Sequence, residues 1–144
     1  MAISKEEVIA LCNRFHDMTM IRKGGVADHQ SFFLYPDSRI YIPHGADLTF
    51  QMNYEIHQRL VDEVHLPLEP WEIIPLSAEP ERVRAVGPVY WQGRLVDSPE
   101  GALIKCVVGM DWIVQRTSPS ELKIVLYMDA YHHFLPDSAP IALK

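Results

Sequence analysis

A chain of 144 residues, 48% hydrophobic and 22% charged, has the composition of one folded domain rather than a disordered segment. A net charge of −6, with no cluster or stripe of Lys and Arg, argues against a nucleic-acid partner. No apolar run approaches membrane-spanning length and the N-terminus has no signal-like apolar stretch, so the whole of 1–144 is expected to be one soluble domain away from the membrane.

The first helix opens at Ser4-Lys5-Glu6-Glu7, a capping box in which Ser4 satisfies a free backbone N–H while Glu7 reaches back. Val8, Leu11, Cys12, Phe15 and Met18 then recur at helical spacing, and "RKGG" (22–25) closes the helix. His16 and Asp17 read as surface residues at its far end. A shorter helix fits "DHQSFFLY" (28–35) with Asp28 as N-cap, and "SRIYIPHG" alternates briefly as a strand before Pro43 and Gly45. A third helix fits "DLTFQMNYEIHQRLVDEV" (47–64), with Phe50, Tyr54, His57 and Val61 on one face.

From Trp71 onward the character changes. "WEIIPL", "ERVRAVGPVYWQGRLV", "ALIKCVVGMDWIVQR" and "ELKIVLYMDAYHHF" read as strands between turn-rich pieces. Helices followed by strands predict an α+β fold with helices on one face of an antiparallel sheet. On the Asp111 strand, Val107, Asp111 and Ile113 point one way and Val108, Met110, Trp112 and Val114 the other, so both faces are apolar. A sheet solvated on one face should alternate more cleanly. Helices cover one face, and a homodimer through the sheet is the simplest cover for the other; a sheet curled within one monomer is the rival.

The run "FFLYPDSRIYIPHG", the segment "YWQGRLV" and the Asp111 strand followed by "ELKIV…YMDAY" together resemble the NTF2-like (SnoaL-like) α+β cone fold over almost the entire chain. The resemblance implies three N-terminal helices packed on a curved antiparallel sheet around an interior pocket. Within that superfamily, "YWQGR" and "VVGMDWIV" are similar to strands of ketosteroid isomerase. There the aspartate at the position of Asp111 faces the cone interior and stays protonated, donating a hydrogen bond to a substrate oxyanion. A carboxyl in an apolar pocket can do this because ionisation would lose hydration. The place of that enzyme's general-base aspartate holds Ile42 here, and that of its tyrosine donor holds Phe15, so steroid isomerisation is not implied.

Asp111 is therefore the first candidate acid; its alternative is an ion pair with an Arg or Lys of a neighbouring strand. His44, beside Ile42 in "IPHG", and His57, on an apolar helix face, are the candidate general bases. Either could instead be a cap, a surface residue or a satisfied core histidine. Phe15, Ile42, Tyr54, Tyr90, Ile113, Tyr127 and Asp129 complete the expected pocket wall, although the facing of Tyr127 depends on the register across "TSPS". Strict alternation would put Asp129, Tyr131 and His133 on one face, a thin metal site, so no metal is expected. Cys12 and Cys106 follow no metal or redox spacing and read as packed, reduced thiols of a cytoplasmic protein.

These residues predict a cofactor-free proton-transfer enzyme of the SnoaL-like type (isomerase, cyclase or dehydratase) acting on a hydrophobic carbonyl compound. A second reading is a non-catalytic binding or scaffolding dimer, with Asp111 ion-paired and the cavity small or filled by Phe32, Phe33 and Trp91. A third is the small subunit of a ring-hydroxylating oxygenase, for which the chain is short.

Overall fold

The computed structural model describes residues 2–43, 47–98 and 102–140. Helix α1 (Lys5–His16) starts on the expected capping box: Ser4 accepts from the Glu7 N–H, and the Ser4 N–H donates to Glu7 Oε2 at 2.9 Å. It runs directly into a π-helical turn, Asp17–Ile21, which widens the last turn before Arg22. Helix α2 (Val26–Gln30) is capped by Gly25, earlier than Asp28. Helix α3 (Phe50–Gln58) has Thr49 as its N-cap, with Thr49 Oγ1 accepting from the Met52 N–H at 3.0 Å.

Among the described residues, seven strands form one sheet: β1 (Ile40–Tyr41), β2 (Asp47–Leu48), β3 (Leu60–Pro67), β4 (Glu72–Ala78), β5 (Glu81–Leu95), β6 (Ile104–Ser118) and β7 (Glu121–Phe134). Their order is β2-β1-β7-β6-β5-β3, with β4 also pairing β5; β1 runs parallel to β7 and every other pairing is antiparallel. The helical reading of 47–64 is corrected here. After Arg59 the chain enters β3, because Leu60, Val61 and Val64 pair with β5 instead of continuing the helix.

The helices cover one face of the sheet. Val8, Leu11, Cys12, Phe15 and Met18 pack against Val83, Ala85, Val89, Val108, Met110, Trp112, Val114 and Ile124, all buried. Phe15 is the centre of this contact, its ring edge-on to His29, Phe32, Phe33 and Trp112 at centroid distances of 5.5–6.1 Å. Gly87 admits the Trp71 ring directly onto β5, where a Cβ would stand 2.0 Å from it.

Register shifts decide which side chains reach that face. Between β6 and β7, Gly109 pairs with Tyr131 but Met110 with Asp129, leaving Ala130 as an extra residue. Val125 is extra in the same way, since Ile113 pairs with Leu126 and Val114 with Ile124. A third bulge lies in β3, where Asp62 adopts the left-handed conformation (φ 57°) and the pairing shifts between Val61 and Val64. Leu60, Glu63 and His65 consequently all turn toward the helices.

Candidate functional site

Between the helices and the concave face of the sheet lies a cavity of about 150 Å³. Phe15, His16, Thr19 and Met20 from α1 and the π turn form one side; Asn53, Ile56 and His57 of α3 form another. Val89, Val108 and Met110 supply the sheet side, and Tyr127, Asp129 and His132 line it from β7. The π turn matters locally, because it carries Thr19 and Met20 into the wall directly after His16.

His57 is held by a buried carboxylate. Its Nδ1 lies 2.8 Å from Glu63 Oε1 and 3.0 Å from Oε2. Glu63 also accepts from Trp91 Nε1 at 3.1 Å and from Lys23 Nζ at 2.9 Å. Lys23 is itself fixed by the carbonyls of His57 and Leu60, at 2.8 and 3.0 Å. Burial alone would raise the Glu63 carboxyl, but the bonds and charges of His57 and Lys23 outweigh it and hold it below its ordinary value. An ionised Glu63 accepts a hydrogen bond from Nδ1–H, so in the neutral ring Nε2 is the basic nitrogen, on a side chain that lines the cavity. Gly93 permits the arrangement: a side chain there would press on the Trp91 ring at 2.7 Å and on Glu63 at 3.2 Å.

A second histidine is buried beside it. His16 Nδ1 donates to the Cys12 carbonyl at 2.8 Å, so Nε2 accepts from the Tyr127 hydroxyl at 3.3 Å. Burial, then the neighbouring His65 (ring centroid 4.9 Å away), push its pKa down to about 3 against the pull of the Cys12 carbonyl. Burial, with Asp129 close by, carries the Tyr127 hydroxyl well above its ordinary value. Both groups are neutral near pH 7.

Asp129 completes the set. Its Oδ2 lies 3.2 Å from His132 Nε2, and its buried Oδ1 has no hydrogen-bond partner. Burial raises its pKa, partly opposed by the bond and charge of His132. The extra residue Ala130 brings Asp129 and His132 to one face, which corrects the grouping of Asp129 with Tyr131 and His133: Tyr131 lies across Gly109 on the opposite side. Asp129 and His132 are a hydrogen-bonded pair of potential metal ligands in the wall; among the described residues no cluster of three such groups occurs.

Of the expected residues, His57, Phe15, Ile42, Tyr127 and Asp129 line the cavity together. Asp111 does not. It lies on the outer face of the sheet, bound by Arg84 through Nε at 2.8 Å and Nη2 at 2.7 Å. The alternation along β6 holds, but the face that meets the helices is the one carrying Val108, Met110, Trp112 and Val114. Ile113 and Tyr90 share the outer face with Asp111, and the Tyr90 hydroxyl donates to Gln92 at 2.9 Å. Tyr54 is outside the wall because Asn53, one residue or about 100° around α3, takes that position. His44 lies outside the described residues.

Glu63 and His16 are the members that sequence reasoning missed. Glu63 was hidden by the helical reading of 47–64. His16 follows Val8 and Cys12 at intervals of four, a signal that places it on the buried face of α1.

No protein-family model matches the chain, and no curated protein does. Among solved structures, the crystal structure of LinA is similar at a TM-score of 0.63 with 12% identity, covering 94% of this chain and 92% of that one. An NTF2-like protein from Cytophaga hutchinsonii is similar at a TM-score of 0.57 with 10% identity, covering 92% of this chain and 100% of that one. The chain therefore has the NTF2-like fold, as its sequence segments led one to expect.

Proposed function

We propose that this NTF2-like chain is a cofactor-free proton-transfer enzyme acting on an apolar carbonyl compound, as an isomerase, cyclase or dehydratase does. The observation that carries the reading is His57, locked through Nδ1 on a buried carboxylate while its ring lines the cavity. In this scheme His57 Nε2 removes a proton from the carbon beside the carbonyl. Glu63 stabilises the imidazolium that results. Asp129, favoured in its neutral form by burial, donates a hydrogen bond to the developing oxyanion, the role first expected of Asp111. The proton then returns from Nε2 to another carbon or leaves with a hydroxyl. The chemistry needs no cofactor.

The test is exchange of the α-protons of cyclohexanone for deuterium, followed by proton NMR in D₂O. Acceleration over buffer that falls by about a hundredfold or more in His57→Gln is expected, the scale of a positioned base. Exchange no faster than in buffer, or unchanged in His57→Gln, would overturn it.

One observation favours the binding or scaffolding reading: Asp111 is ion-paired, as that reading requires. Both readings include a homodimer through the outer sheet face. Half-buried Val86, Pro88, Val107, Ile113 and Met128 stand there beside the exposed Val64, Leu66 and Tyr131. Sedimentation at micromolar concentration tests it, and a monomer would remove it. The cytoplasmic setting is part of the same proposal, in keeping with two buried free thiols; no helix among the described residues is long and apolar enough to cross a membrane.

A further inference from the structure

Resting on the catalytic reading above, we propose that the cavity takes an uncharged molecule of a single six-membered ring, carrying one oxygen that meets Oδ1 of Asp129. Three observations lead there. The first is volume. About 150 Å³ is room for a benzene-sized body, the scale at which an apolar cavity binds one aromatic ring. Phe15, Val108 and Met110 close its inner end and are themselves buried in the core, so a second fused ring cannot go deeper without displacing packed side chains.

The second is the orphaned oxygen. Oδ1 of Asp129 is the one buried, unpartnered side-chain polar atom among the described residues that belongs to the wall; the other two are the Trp71 and Trp112 indole nitrogens, outside it. Buried polar atoms are rarely left so, and a ligand oxygen satisfies this one in either protonation state. A neutral Asp129 donates to a ketone; an ionised one accepts from a hydroxyl. The third is charge. The described wall contains no Lys or Arg, Lys23 is already bound to Glu63 and two carbonyls, and His57 and His132 already face the carboxylates Glu63 and Asp129, so an anionic substituent finds no cation that is not already paired.

The experiment is a titration of the unmodified chain with toluene, phenol, cyclohexanone, benzoate, 2-naphthol and 2-decalone. The indole N–H of Trp91, whose ring lines the cavity, reports binding in 1H–15N spectra. Phenol and cyclohexanone should bind about tenfold tighter than toluene, the worth of one net hydrogen bond. The two-ring compounds should bind at least about tenfold more weakly than their one-ring counterparts, although their larger apolar area alone would favour them. Benzoate should not bind. In Asp129→Leu, toluene should still bind and the preference for phenol should vanish.

Two-ring compounds binding as well as phenol, no preference for phenol over toluene, or no binding at all would each overturn the proposal. Its failure is separable from that of the catalytic reading. One-ring binding without α-proton exchange leaves the ligand class standing and removes the chemistry. Exchange that favours 2-decalone over cyclohexanone does the reverse.

Discussion

Nδ1 of His57 lies 2.8 Å from Oε1 of Glu63, a side chain with no solvent exposure. Because Glu63 sets which ring nitrogen carries the proton, Glu63→Gln should lower α-proton exchange by about a hundredfold or more. Binding of cyclohexanone should change little, so the loss appears in kcat and not in KM. Glu63→Ala is a harsher change. It removes the side-chain partner of His57 and Trp91 and the counter-charge of Lys23 together, and should destabilise the fold by about 3–5 kcal/mol in urea denaturation.

His16 predicts a pH dependence with a definite sign. The folded chain holds its pKa at about 3, whereas the unfolded chain takes up that proton near 6.5. Between those values the unfolded state binds more protons, so stability falls as pH falls, by up to about 1.4 kcal/mol per unit. From pH 6.5 to 5 the wild type should lose about 1–2 kcal/mol more than His16→Gln. Other titrating groups act in both chains and cancel in that difference. Equal losses in the two chains would mean that His16 is accessible to protons in the folded state.

The Arg84–Asp111 pair belongs to the outer face, so Asp111→Asn should leave ring binding and α-proton exchange unaltered. If that face joins two copies, Asp111→Arg should weaken the association, because it sets like charges beside Arg84 in both subunits. Titration and sedimentation of the two variants read these effects separately.

Gly87→Ala should destabilise by about 1–3 kcal/mol, the range for overpacking a core. The new methyl would stand 2.0 Å from the ring of Trp71, which is buried in the core. Gly109→Ala makes a similar clash with Tyr131, but Tyr131 is 48% exposed and can swing into solvent. Thermal melts should rank Gly87→Ala as the more damaging of the two.

The first helix and the four strands β4 to β7 were legible because each carries a local signal: a capping box for α1, and runs of β-branched and aromatic residues between turns for the strands. The boundary of α3 was not legible. Phe50, His57 and Val61 continue a helical spacing past the point where pairing with β5 takes the backbone over. Asp111 shows a different limit. Alternation along β6 was read with its two sets of side chains intact, but with both faces apolar nothing local says which one the helices cover. Asp129 and His132 show a third, since an alternating pattern cannot announce an extra residue such as Ala130.

Those extra residues have a geometric consequence. From Leu122 to Phe134 the last strand advances 12 positions, while its partner from Arg116 to Cys106 advances 10. A longer ribbon stitched along a shorter one must bow, as cloth does at a dart, and this seam lies beside the cavity. The hollow between sheet and helices then reflects an inequality of length between two neighbouring strands as well as the bulk of any side chain. Adding or removing a single residue on the longer ribbon would alter the depth of the bowl while leaving its lining chemistry in place.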